Sequence, residues 1–223
     1  MIKPQIPPGK TWVDTHKQSF ADIAILDDQR VPTTEFLNAT EATTTIFDLL
    51  GSPVFTPIKN DLLFNIGRIR DRQKEAPEES TTLQSLVESE SASGSHSAVQ
   101  GLTWLVRGLD FMAQAFRGDL RENKSVPIGE QKPPKEVAEL FRASYKTALS
   151  PYHNFLIRPF FRAAMNAAPC RRDLYHRLSG ESTEPEATKE ALKRWVDALE
   201  RIVEILKMFL AQRSDQMVEE YGP

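Results

Sequence analysis

The sequence predicts an all-α protein of one domain, and three observations carry that prediction. No stretch sustains the period-two alternation of a half-buried strand. No strand–helix alternation of the kind that builds a parallel sheet is present, and there is no internal repeat. Several segments instead place apolar residues at three- and four-residue intervals, the spacing of an amphipathic helix. The 223 residues suit one large domain better than two small ones.

Taken in order, residues 1–10 are rich in proline and read as a disordered arm. Residues 11–215 read as the domain and 216–223 as a C-terminal tail. Trp12, Phe20, Ile23 and Ile25 mark a segment packed on the domain rather than a helix of its own. Thr33 or Thr34 can cap a helix that runs to Leu50, where Gly51 stops it. Gly51, Pro53 and Pro57 punctuate an apolar loop containing Val54, Phe55 and Ile58. Beyond Pro57, Leu62, Ile66 and Ile69 form one helical face. Ser80 can cap a short helix holding Leu83, Leu86 and Val87, and the serine-rich stretch from Ser89 to Ser97 reads as a loop.

Leu102, Leu105, Leu109, Met112 and Phe116 give the clearest buried helix. Gly118 to Pro134 is polar and proline-containing, hence a long loop. Lys135 to Ser150 is helical. His153 to Ala168 reads as an aromatic-rich helix, kinked or loosened where Pro159 removes a backbone bond. A short helix from Pro169 to Leu178, a turn over Ser179–Pro185 and a long helix from Glu186 to Gln212 complete the chain. At ~1.5 Å per residue the last would span about 40 Å.

Charge narrows the partners. The net charge of −3 implies no general attraction to nucleic acid. Between Arg142 and Arg177, however, seven basic residues stand against one acid, Asp173. Such a region suits either an anionic lipid surface or an ordinary solvated face. One cysteine, Cys170, excludes an intramolecular disulfide. With no apolar signal core and no run near ~20 apolar residues, the expectation is a cytoplasmic protein whose membrane contact is peripheral.

An enzyme is not expected. The sequence has no phosphate-binding glycine loop, nucleophile elbow or His-x-x-x-His metal pair, and its four histidines are scattered. One helical stripe does carry chemistry. Asp61, Asn65 and Arg68 repeat at i, i+4, i+7, rotated about 100° from the apolar face. An acceptor, an amide and a cationic fork in a row can bond several hydroxyls of one small polar object. The same spacing also describes a solvated face. By themselves Trp104 reads as core and His153 as a structural histidine.

Three blocks weigh against those plain readings: LGSPVFTPIKND with Asn65 beyond it, WLVRGLDF at Trp104–Phe111, and YHNFLIRPFFRAAMNAAP at Tyr152–Pro169. Together they resemble the glycolipid transfer protein family, more specifically its fungal members associated with heterokaryon incompatibility, over roughly Val31 to Phe209. The resemblance implies a two-layer sandwich of about eight helices enclosing a lipid pocket. It implies non-enzymatic transfer of a glycosphingolipid between membranes, with no cofactor or metal. Asp61, Asn65, Arg68 and Trp104 match positions that hold the sugar, Arg68 standing where a lysine is usual. Asp61 and His153 match positions that hold the ceramide amide.

The physics of the implied site is consistent: a flat indole suits the C–H face of a sugar, and a carboxylate with an imidazole suits an amide. Asn65 and Trp104 replace the basic residues of the subgroup that carries phosphorylated ceramide, so a neutral hexosylceramide is the expected ligand. Phe155, Leu156 and Ile157, with Arg158 and Arg162, are the expected membrane interface. The alternatives are a glycolipid sensor or adaptor that reports lipid level to a partner, and a helical module with no lipid, for which a filled interior is expected. Ile46-Phe47-Asp48 weakly matches a motif that docks endoplasmic-reticulum adaptor proteins, and fits the core of the first helix better.

Overall fold

The computed structural model describes residues 6–221, with side chains described through residue 213. Among the described residues there are nine α-helices, four single-turn 3-10 helices and no strand, only two isolated bridges. The eight expected helices are all present, the first of them divided in two.

That division has a local cause. Helix α1 (Thr33–Thr43) and helix α2 (Ile46–Leu50) are separated at a run of threonines. The hydroxyls of Thr40, Thr43, Thr44 and Thr45 donate to the carbonyls of Phe36, Ala39, Glu41 and Ala42, in competition with the helical amides. Neither Thr33 nor Thr34 caps α1; its N-cap is Pro32, and Thr33 is buried. Gly51 ends α2 at φ 69°, a left-handed conformation that costs glycine little.

Helix α3 (Thr56–Glu75) carries Pro57 in its first turn, where a missing N–H is harmless. Helix α4 (Leu83–Ala92) is capped by Thr82, which exchanges bonds with Ser85; Ser80 lies in the preceding 3-10 turn instead. Helix α5 (Ser97–Glu122) is longer than expected at both ends. Its start is fixed by the Glu90 carboxylate, which accepts from the amides of Ala98 (2.9 Å) and Val99 (2.8 Å). Helix α6 spans Val137–Ala148. The kink expected at Pro159 is absent because helix α7 (Arg158–Asn166) begins there, so the proline sits in a first turn and residues 153–157 precede the helix. Helix α8 (Arg171–Arg177) is short, and helix α9 (Pro185–Tyr221) runs past Gln212 into the expected tail.

The expected arm also needs correction. Residues 1–5 lie outside the described residues, but Gly9 N–H donates to Glu181 O, Gly180 N–H to Lys10 O and Trp12 N–H to Leu178 O, each at 2.8 Å. Residues 9–12 are therefore stitched to the segment between α8 and α9. Trp12, Phe20 and Ile23 are buried as expected, Trp12 packing edge-on to Trp195 of α9.

Helix α5 is central to the sandwich. It packs against α3, α4, α6 and α9, while α1 rests on α3, α7 on α6, and α8 on α2 and α9. The α3–α5 contact is close because position 101 is glycine: a Cβ there would lie 3.1 Å from the Asn65 carbonyl oxygen. That approach sets the polar stripe of α3 beside the helix that carries Trp104. Two of the seven basic residues in the expected lipid-facing region are structural instead. Arg171 is fully buried, and Arg177 donates to the last carbonyls of α2, Leu49 and Leu50. Arg142, Lys146, Arg158, Arg162 and Arg172 remain exposed.

Candidate functional site

Three of the predicted residues, from three separate parts of the chain, line one small cavity: Asp61 on α3, Trp104 on α5 and His153 in the turn before α7. Its remaining walls are apolar and include Phe47, Ile58, Leu62, Phe111, Met112, Leu149 and Phe161. Asp61 is solvent-accessible, yet crowding by these apolar neighbours raises its carboxyl above the usual carboxylate range. No hydrogen bond or ion pair to that carboxylate is formed among the described residues; only the Asp61 carbonyl is engaged, by Asn65 Nδ2 at 2.9 Å.

The imidazole of His153 lies nearly parallel to the Trp104 indole, 5.7 Å between centroids at 24°. The Tyr145 hydroxyl is 3.2 Å from His153 Nδ1. Burial, then the charges of Arg158 and Arg107, hold His153 below its ordinary range, so it is neutral at pH 7. Burial also raises the Tyr145 phenol, which stays protonated. In the tautomer where that phenol donates to Nδ1, Nε2 carries the imidazole proton and is the nitrogen left to donate.

Asn65 and Arg68 do not line this cavity. The Asn65 carboxamide is buried, bonded back to Asp61 and within 3.5 Å of the Arg68 guanidinium. Arg68 itself donates to Ser97 (3.1 Å) and Gln100 (2.9 Å) across the α3–α5 seam. Two residues that sequence reasoning gave no role belong to the site. Arg107 stacks over Tyr152 at 3.5 Å and over Trp104 at 5.0 Å. It lies three residues after Trp104, an i, i+3 neighbour that could have been read from spacing. Tyr145, eight residues from His153 across a proline, left no such signal.

A second cavity, almost wholly apolar, adjoins the first. The two share Phe47, Ile58, Phe111, Met112 and Phe161, and the second extends past Phe116, Phe141 and Met165 to Val137 and Leu174. Each holds only about 40 Å³ of free space, room for roughly three water molecules at the ~10–15 Å³ each requires. The sizeable cavity expected from the sequence is thus filled by aromatic side chains, Phe111, Phe141 and Phe161 among them in edge-to-face contact.

Of the expected membrane residues, Phe155 (77 %) and Leu156 (61 %) are well exposed and Ile157 is partly so, with Phe160 (62 %) beside them. Arg158 holds this turn by donating to the His153 and Ser150 carbonyls, while Arg162 is exposed. The Ile46-Phe47-Asp48 motif is folded in: Ile46 is buried, Phe47 lines both cavities, and Asp48 pairs with Lys59 at 2.6 Å. It does not present an exposed docking segment. Among the described residues no helix is long and apolar enough to cross a membrane, and no side-chain cluster is suited to a metal.

Residues 31–180 match the family model described as glycolipid transfer protein. The chain belongs to the glycolipid transfer protein family. A member from Aureobasidium melanogenum, itself called glycolipid transfer protein, is 45 % identical over 207 residues, covering 93 % of this chain and 96 % of that one. The crystal structure of HET-C2, a fungal glycolipid transfer protein, superposes with a TM-score of 0.80 at 42 % identity, over 90 % of this chain and 97 % of that one. A structure addressing how FAPP2 selects simple glycosphingolipids with the same fold gives a TM-score of 0.80 at 27 % identity, over 92 % and 97 % of the two chains. Within this family the cavity bearing Asp61, Trp104 and His153 is the candidate binding site.

Proposed function

We propose that the protein binds one neutral glycosphingolipid and carries it between membranes without covalent chemistry. The observation that carries this reading is the convergence of a carboxylate without a partner, an indole and a neutral imidazole in a small cavity that adjoins a second, apolar one. Asp61 accepts from the ceramide amide N–H, and His153 Nε2 donates to its carbonyl. The first sugar lies by the Trp104 indole. Asn65 and Arg68 sit at the edge of this headgroup site and reach sugar hydroxyls by exchanging their present partners, among them Ser97 and Gln100. The hydrocarbon chains enter the apolar cavity, displacing the aromatic side chains that fill it. Burial worth about 0.8 kcal/mol per CH₂ favours the cavity over water, and because a bilayer offers nearly the same gain, the lipid can leave again.

Among the described residues no lysine or arginine lines the cavity that holds Asp61, and the nearby Arg68 and Arg107 are already engaged by Ser97 and Gln100 and by Tyr152. In a vesicle assay holding both a simple hexosylceramide and ceramide-1-phosphate, the hexosylceramide is expected to move faster. Faster movement of the phosphate lipid would refute the assignment.

Contact with the membrane falls to the turn before α7 and the start of that helix. Phe155, Leu156 and Phe160 enter the interface, with Arg162 beside the headgroups. Phe155→Ala is expected to slow transfer between vesicles while leaving binding of dispersed lipid nearly intact. Equal loss of both would make the residue structural.

A further inference from the structure

We propose that the cleft between α5 and the end of α9 is a second binding site, for a small phosphate ester, and that its occupant acts on Trp104 through Arg107. The cleft holds about 500 Å³ of free space, against about 40 Å³ in each of the two cavities described above. That is the volume of an ordinary small-molecule site. It shares no lining residue with either cavity. Helix α5 turns Gly101 and Gly108 toward α3, and Thr103, Val106 and Asp110 into the cleft on its other side.

Charge gives the chemistry. The chain is acidic at a net −3, yet Arg107, Lys207 and Arg213 all line this one cleft. The carboxylate beside them, Asp110, is neutralised by Lys207 at 3.1 Å. Among the described residues Arg107 and Arg213 form no ion pair, so two cations are left unmatched. The face of the Arg107 guanidinium is stacked on the Tyr152 ring at 3.5 Å, which leaves its in-plane N–H groups to donate. Burial lowers Arg107 below its ordinary range, although it remains a cation at neutral pH. It is thus a half-buried charge without a counter-ion. A phosphate ester accepts from several N–H groups at once and matches two such forks. Val87, Val99 and Val106 offer its carbon portion an apolar wall. Arg107 lines the cleft and not the cavity of Asp61, so an anion held here does not meet that carboxylate.

The same arginine reaches the headgroup site. Its guanidinium lies 5.0 Å over the Trp104 indole, and its stacking partner Tyr152 directly precedes His153. A phosphate that draws Arg107 therefore shifts a charge beside the indole. The other two tryptophans, Trp12 and Trp195, are at most 1 % exposed and pack on each other, so a change in emission reports on Trp104.

A free ester and a lipid headgroup offer the same chemistry, and the test has an arm for each. The full chain is titrated with glycerol phosphate while tryptophan emission is read. Its sedimentation with phosphatidylcholine vesicles is measured with and without phosphatidic acid. A saturable change in the first arm identifies a free ester; a gain confined to vesicles with phosphatidic acid identifies a headgroup. In the arm that binds, Arg213→Gln is expected to weaken binding about tenfold or more, the effect of losing a hydrogen bond to a charged group. Arg107→Gln should do the same and abolish the emission change. Arg201→Gln removes an equal charge from an exposed position of α9 outside the cleft, and should leave binding as it was. No binding in either arm, binding that Arg213→Gln leaves intact, or equal weakening by Arg201→Gln overturns the inference. If Arg107→Gln does not fold, Arg213→Gln against Arg201→Gln decides it. Neither arm contains a sphingolipid, so the outcome does not depend on the carrier reading.

Discussion

Replacing Asp61 with asparagine is expected to raise the stability of the free protein and to lower its affinity for sphingolipid, two effects of opposite sign from one carboxylate. The stability argument starts from desolvation. Crowding raises the Asp61 carboxyl, and no donor or cation among the described residues compensates. A carboxyl whose folded pKa lies above its unfolded value penalises the fold wherever it is ionised. That penalty is full at neutral pH and fades as pH falls through the raised folded value toward the unfolded one. Asparagine has no charge to desolvate, so its advantage in thermal melts should be present at pH 7 and vanish in acid.

Affinity runs the other way. A hydrogen bond to a charged acceptor contributes about 1.5–3 kcal/mol, equivalent to roughly a ten- to hundredfold change in binding. Asparagine keeps an acceptor oxygen and should fall near the lower bound, Asp61→Ala near the upper. Transfer should also decline in acid at a higher pH than an ordinary carboxylate would give, because Asp61 protonates early. A variant that is both less stable and equally active would remove Asp61 from the binding site.

Much of the fold was legible because amphipathic spacing is a local signal. The apolar faces of α3 and α5 were readable from the intervals between Leu62, Ile66 and Ile69, and between Leu102, Leu105 and Leu109, all of them buried. Element ends were less legible, for they depend on which neighbouring group satisfies a terminal amide. Glu90 starts α5 from eight residues away, and Pro159 opens α7 rather than bending it. The site divided in the same way. Asp61, Trp104 and His153 do meet, but composition and spacing alone read them as surface, core and a structural histidine, and only the three sequence blocks brought them together. That Arg68 already has partners could not be seen, because Ser97 and Gln100 are about 30 residues away and face it only through the close α3–α5 packing. The filled interior was hidden for a related reason: sequence shows that aromatic residues are available, not which rotamers fill the cavity.

The buried network in which the Asp119 carboxylate accepts from Arg171, Asn123 and Tyr175 is the feature least visible in sequence, since Asp119 and Arg171 are 52 residues apart. It also supports the largest stability prediction. Arg171→Met is expected to cost about 3–5 kcal/mol, because it strands the Asp119 charge where water cannot reach it. At roughly 2–4 °C per kcal/mol for a domain of this size, the melting temperature should fall by about 6–20 °C. The charge is what makes the loss large, so removing it should return much of the stability. Asp119→Leu combined with Arg171→Met is expected to melt well above Arg171→Met alone. Recovery should stop short of the unaltered protein, since Tyr175 and Asn123 then lose their acceptor. Burial, followed by the Asp119 charge, keeps the Tyr175 phenol protonated, so in the double variant it is a buried donor without an acceptor. Adding Tyr175→Phe should therefore raise the melting temperature of the double variant while lowering that of the unaltered protein. Additive effects in all these backgrounds would show that Asp119, Arg171 and Tyr175 act independently.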